Sequence, residues 1–280
     1  MTYPISSPSV GRRALRLFGL LLGVPLGTGA MWVVRLSSRK AGVALMYHGV
    51  ADRGGDPVRE LVPAHGSNLF ERQTRYLLRH YRVIPASNLL EAAGQRKRGQ
   101  RFPAAITFDD DLTCHASVAL PILPEERDRI AARLGEVLGV DPPQSGMRAA
   151  DVRALIEAGM TVGFHTRRHD ALSLLPDDLL ALALEEGRST VADVVGEPIA
   201  TIGYPHGRAD KRVANAAPAA GFEAGFTTRG QPMTPNSDPL LQGRVGPSLC
   251  SVGARALELA VTLVMSGSAQ ATPAQARQAS

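Results

Sequence analysis

Two short apolar runs, each ending in residues that bind metal ions, constrain this chain more than any other feature. One is Ile106-Thr107-Phe108-Asp109-Asp110-Asp111; the other, from Thr161 to Phe164, runs into His165-Thr166-Arg167-Arg168-His169. Each is β-prone and of strand length. Parallel strands present their C-terminal ends on one face, so the acidic run and the two histidines are expected to meet there. Two imidazoles and a carboxylate form a common catalytic zinc set, because three protein ligands leave a fourth position open for water. A second carboxylate beside them could take that water's proton. Taken singly, the aspartates read as a solvated turn and the His-x-x-x-His spacing as two surface residues. The pairing of the two, each at a strand end, favours the metal site.

The rest of the chain alternates in the same way. Strands are predicted at Val43 to His48, Arg82 to Ile84, Ala104 to Phe108, Thr161 to Phe164, Ile199 to Gly203 and Phe222 to Thr227. Between them fall amphipathic helices. One is opened by an Asn68/Glu71 capping box with Phe70 and Leu77 on its apolar face. Others cover Ser87 to Ala93, Glu125 to Leu138, Ala150 to Ala158, Asp177 to Val195 as one long helix, and Asp210 to Ala220. Alternating strands and helices with one chemical face predict a parallel α/β architecture, most simply a barrel. After Val245 the pattern weakens to a helix over Ala254 to Met265 and a tail from Ser266 rich in Ala, Gln and Ser, expected to be disordered.

The net charge of +5 would suit an anionic partner, but the basic residues are dispersed apart from Arg96-Lys97-Arg98, and aromatics make up only 5%. No stacking platform for single strands results, so a nucleic-acid partner is not expected. Cys114 and Cys250 form neither a metal-ligand spacing nor a disulfide framework. The 18 uncharged residues from Leu17 to Val34 just reach the length of a membrane span, although Pro25 and four glycines spoil a straight helix. They are expected to act as an export signal or anchor, with membrane association through residues 14–35; the alternative is a helix packed on the domain. The chain then divides into a hydrophobic segment (1–40), the main domain (41–250) and a C-terminal helix and tail (251–280). A periplasmic, secreted or membrane-anchored location follows, with the cytoplasm as the alternative.

Four stretches in order, Leu45-Met46-Tyr47-His48-Gly49-Val50, Thr107-Phe108-Asp109-Asp110, His165-Thr166-Arg167-Arg168-His169 and Tyr204-Pro205-His206-Gly207, resemble the polysaccharide deacetylases, zinc-dependent carbohydrate esterases that remove N-acetyl groups from sugars. The resemblance spans residues 42 to 246 and implies a distorted (β/α) barrel, a bound Zn2+ or other divalent metal, and an N-acetylated glycan substrate. It also implies that Asp109 is the general base, that Asp110, His165 and His169 hold the metal, and that Tyr204, Pro205, His206 and Gly207 line the pocket and offer backbone N–H groups to the oxyanion. The leading Tyr-His strand is similar to that of a circularly permuted group in which the histidine that protonates the leaving amine comes first, which gives that role to His48. Elimination among the other histidines leaves the same residue, against the alternative of a hydrogen-bonded core histidine beside Tyr47.

Two departures stand out. Asp111 occupies the position where the family has glycine, adding a third negative charge near the metal. After Leu120-Pro121-Ile122-Leu123 the family has a further strand, whereas here Pro124 and a charged helix follow and no β-prone run appears before Thr161. The barrel is therefore expected to lack one strand. A zinc deacetylase, a catalytically impaired carbohydrate-binding relative and a metal-dependent hydrolase of small amides are the competing functions.

Overall fold

The computed structural model describes residues 23–55, 63–110, 112, 114–123, 147–247, 249 and 251–265. Its strands are β1 (Val43–Tyr47), β2 (Val50–Ala51), β3 (His65–Gly66), β4 (Arg82–Val83), β5 (Pro103–Phe108), β6 (Thr201–Gly203), β7 (Ala224–Phe226) and β8 (Arg244–Val245). The helices are α1 (Gly23–Arg35), α2 (Ser67–His80), α3 (Leu89–Gln95), α4 (Ala149–Glu157), α5 (Asp177–Glu185), α6 (Arg188–Val195), α7 (Lys211–Ala216) and α8 (Val252–Met265).

β1 is buried at every position, as a central parallel strand covered on both faces must be. β5 runs parallel to it, with Val43 opposite Ala104 and Tyr47 opposite Phe108. Parallel pairing links β4, β5, β1 and β8. Single parallel bridges then join Gln242 to Phe226 of β7 and Phe164 to Ile202 of β6, and β6 pairs with β7. Among the described residues the result is an incomplete ring, a distorted (β/α) barrel. The gap has a definite place. β4 covers the free edge of β5 only at Pro103 and Ala104, and no strand stands beside Ile106 to Phe108 among the described residues. Those three side chains are accordingly only half-buried.

The gap explains why Thr161 to Phe164 departs from the strand predicted there. Among the described residues no strand pairs with its other edge, and the segment keeps only the bridge to β6, with Phe164 N–H donating to Thr201 and Gly203 N–H to Phe164. The single helix predicted over Asp177 to Val195 breaks into α5 and α6 because Gly187 adopts φ +84°, a left-handed angle that ends a helix. Nor does Asn68 cap α2. Gly66 holds that position without a side-chain bond, and Glu71 pairs instead with Arg75 one turn on, at 2.7 Å.

Residues 23–35 form a helix packed on α8. Gly27 permits the approach, since a Cβ there would lie 2.8 Å from the backbone nitrogen of Leu257. Met31 and Val34 enter the core that holds Leu45, Phe70 and Leu259. Arg96, from the basic triplet, is buried rather than solvated. Its guanidinium donates to the carbonyls of Arg35, Ser37 and Arg39 and lies 3.6 Å over the Phe102 ring, fixing the chain that leaves α1. No helix among the described residues is long and apolar enough to cross a membrane. Residues 1–22, Asp111, the helix predicted over Glu125 to Leu138, Cys250 and the tail from Ser266 lie outside the described residues.

Candidate active site

Asp109 and Asp110 leave the end of β5 in opposite directions with opposite surroundings. Asp109 turns inward, where its backbone N–H donates to Tyr47 and its carboxylate accepts a two-pronged pair from Arg244, Nη1 to Oδ1 and Nη2 to Oδ2, the latter at 2.7 Å. Arg244 is itself anchored, Nε donating to the Thr227 carbonyl at 3.2 Å. Burial pushes the Asp109 carboxyl up, but the Arg244 charge and hydrogen bonds, aided by His165 and His48, outweigh it and hold the group below the usual carboxylate range. Asp109 is thus ionised at neutral pH. Asp110, in left-handed backbone at φ 62°, turns outward and remains over a third exposed.

Across the gap, His165 follows the short bridge at Phe164. Its Nδ1 lies 2.6 Å from the Gly203 carbonyl, which fixes Nδ1 as the donor and leaves Nε2 with a free lone pair, the tautomer that metal-binding histidines adopt. That Nε2 is 3.7 Å from Asp110 Oδ1, and Nε2 of His169 is 3.9 Å from the same oxygen. The three ligand atoms lie within 4.8 Å of one another. Ligands about 2.0–2.2 Å from one ion stand a little closer than this, so the set fits a divalent cation after a small contraction. Burial, then His165 and His206, push the His169 ring toward its neutral, metal-binding form.

Backbone strain gathers at the same place. The non-glycine residues with positive φ among the described ones are Asp110, Thr166, His169 and His206. Left-handed backbone is costly for such residues and tends to persist at functional sites. His206 lies 4.4 Å, ring to ring, from His169.

The other predicted residues are placed as follows. The Tyr204 ring points away into the second core, its hydroxyl donating to the Leu240 carbonyl. Tyr204 N–H donates to Phe226, Gly207 N–H to Tyr204, and Pro205 has none, which leaves His206 as the turn's candidate backbone donor. His48 follows β1 directly, close enough to Asp109 for its charge to help hold that carboxylate down. Its carbonyl accepts from His115 Nε2 at 3.1 Å, and its own Nδ1 has no hydrogen-bond partner among the described residues. Arg244 and Gly203 are absent from the sequence prediction. Gly203 sits between the two halves of the site, where a Cβ would be 3.3 Å from both Asp109 Oδ1 and His165 Nδ1.

Residues 96–225 match the family model described as polysaccharide deacetylase. No curated protein sequence is recognisably similar to the chain. Among solved structures, the Streptococcus pyogenes deacetylase PplD, determined in complex with acetate, is 18% identical with a TM-score of 0.64, covering 80% of this chain and 98% of that one. IcaB from Ammonifex degensii is 22% identical with a TM-score of 0.60, covering 78% and 97%. Both share the fold.

Proposed function

We propose that the chain is a polysaccharide deacetylase, a metal-dependent hydrolase removing N-acetyl groups from an amino-sugar glycan. The observation that carries this reading is the convergence of Asp110, His165 and His169 across the gap, with ligand atoms within 4.8 Å of one another. These three residues would hold Zn2+ or another divalent cation. When bound, such an ion supplies Lewis acidity toward an amide carbonyl and lowers the pKa of a water.

Asp109 then acts as general base. It is charged at neutral pH and held in one orientation by Arg244, so it is ready to accept the proton of the attacking water without first losing its own. Arg244 positions the base without touching substrate. Gly203 fixes the His165 tautomer through its carbonyl, and the His206 N–H is the backbone donor available to an oxyanion. His48 protonates the departing nitrogen.

The test is acetate release from N-acetylglucosamine oligomers by metal-loaded protein, with Asp109→Asn as control. Loss of a general base is expected to cost about a hundredfold to ten-thousandfold in rate. One metal per chain is expected by elemental analysis, lost in His165→Ala. A glycan-binding relative without turnover is the second reading, favoured by the commitment of both Asp109 oxygens to Arg244. Glycan binding by metal-free protein with no acetate release from the loaded form would establish it.

A further inference from the structure

His48 is the proton donor of the proposed reaction, yet its ring Nδ1 is buried without a hydrogen-bond partner among the described residues. The aim of that ring therefore depends on the backbone that carries it. His48 and Gly49 lie between β1 and β2, and the polar groups around them are taken up one by one from other parts of the chain. Ahead of them, the Tyr47 carbonyl accepts from the Asp109 N–H at 2.9 Å, which ties the strand of the acid to the base. The Gly49 carbonyl accepts from the His65 N–H at 2.7 Å. The His48 carbonyl and the Val50 N–H, on either side of Gly49, are both met by side chains. His115 Nε2 lies 3.1 Å from the first, and Cys114 Sγ lies 3.4 Å from the second. Two consecutive residues thus grip the segment that carries the acid.

His115 is well placed to hold on. Its ring is buried and lies 5.0 Å, centroid to centroid, from the ring of Phe108, the residue before the base. A carbonyl oxygen only accepts, so the contact fixes a proton on His115 Nε2. Burial pushes the pKa of this ring down, against the upward pull of the His48 carbonyl and Asp110, and the neutral ring has that one N–H to give. It goes to a backbone oxygen of the acid, whereas His165 and His169 turn ring nitrogens toward Asp110.

We infer that His115 is a positioning residue for the acid: its Nε2–H, by holding the His48 carbonyl, sets the direction from which the His48 ring meets the leaving nitrogen, and Cys114 secures the same segment at Val50. The inference rests on the hydrolase reading and adds residues to its proton-donating half. A displacement of about 1 Å can cost on the order of a hundredfold in rate, so loss of this hold is expected to show in turnover rather than in substrate binding.

The experiment compares two substrates on the metal-loaded full chain: an N-acetylglucosamine oligomer, whose amine must be protonated to leave, and p-nitrophenyl acetate, whose phenolate leaves without a proton. His115→Leu is expected to lower kcat on the amide about a hundredfold more than on the ester, with KM little changed. His115→Gln, whose amide nitrogen reaches as far as Nε2, is expected to recover most of the loss. His115→Asn, one bond shorter, is not, and it carries the test if the leucine variant does not fold. In a His48→Ala background, His115→Leu is expected to cost nothing further on the amide, because the ring it acts through is gone. Independently of activity, NMR of protein labelled at the histidine nitrogens is expected to find the His115 proton on Nε2 at pH 7. Equal losses on amide and ester, a full further loss in the His48→Ala background, or a proton on Nδ1 overturns the inference and leaves the hydrolase reading standing. Wild-type protein that holds its metal and releases acetate from neither substrate overturns the hydrolase reading, and the inference with it.

Discussion

The two walls of the site are built on different principles. The carboxylate wall is a strand paired along one whole edge, with β5 in register with β1 over five residues, an anchoring arginine from β8 and a buried core beneath. The histidine wall is a segment held by one bridge and one carbonyl, its rings aimed by left-handed turns at Thr166 and His169. The first is held by a continuous ladder to β1 and a two-pronged ion pair. The second has an unpaired edge and depends on a few specific contacts. A site assembled this way combines a fixed base with a ligand pair that can close by the small contraction a cation requires.

The largest test breaks the rigid wall. Replacing Arg244 by alanine leaves Asp109 buried without a counter-charge, and about 3–5 kcal/mol of stability should be lost, as when one partner of a buried ion pair is removed. Chemical denaturation at pH 7 measures it. Arg244→Lys restores the charge but not the fork, so partial recovery is expected.

The next effect belongs to the core behind that wall. His65 lies buried against Tyr47 and Phe70. Burial first, then Arg255, push its pKa down to about 4, against a smaller upward pull from Gln73. The unfolded chain takes up a proton near pH 6.5 and the folded one only near 4, so the His65 contribution is full above pH 6.5 and is lost as the pH falls toward 4. The total is about 3 kcal/mol. The Asp109–Arg244 pair acts in a different window, present above the ordinary carboxylate pKa and lost as the pH falls through the lowered value. Denaturation midpoints should therefore drop between pH 7 and 5 in the wild type and drop less in His65→Leu.

A sharper comparison comes from the seam between the walls. Gly203→Ala places a methyl against both Asp109 and His165, and because it disturbs an outer contact of a metal ligand, a loss of about 10- to 100-fold in metal affinity is expected with little change in melting temperature. Smallest is Gly187→Ala behind the histidine wall. The left-handed angle there costs a side chain about 1 kcal/mol, and no change in metal affinity should accompany it.

What the sequence reveals about this fold follows the same division. β1 and β5 are legible because parallel strands covered on both faces read as unbroken apolar runs. Asp109, Asp110, His165 and His169 are legible because two motifs, each commonplace alone, fall at the ends of two apolar runs that a parallel architecture brings to one face. Arg244 was open to detection, since an arginine in a run continuing into Val245 must be paired if the run is buried, but its partner lies 135 residues earlier and no local pattern names it. Gly203 acts through a carbonyl, which every residue has. The break at Gly187 was hidden by an apolar period that continues across it. The β5 edge beside Ile106 to Phe108, unpaired among the described residues, has no signal in those three residues, which are as β-prone as the paired ones.

The pairing of α1 with α8 sets the order of assembly. α8, on which α1 packs, exists only once residues beyond 252 have been made, so Met31 and Val34 complete their burial late in synthesis. Contacts this far apart in the chain form late and slow the final step of folding. During that interval the apolar face of α1 is free to be claimed by whatever else binds hydrophobic helices.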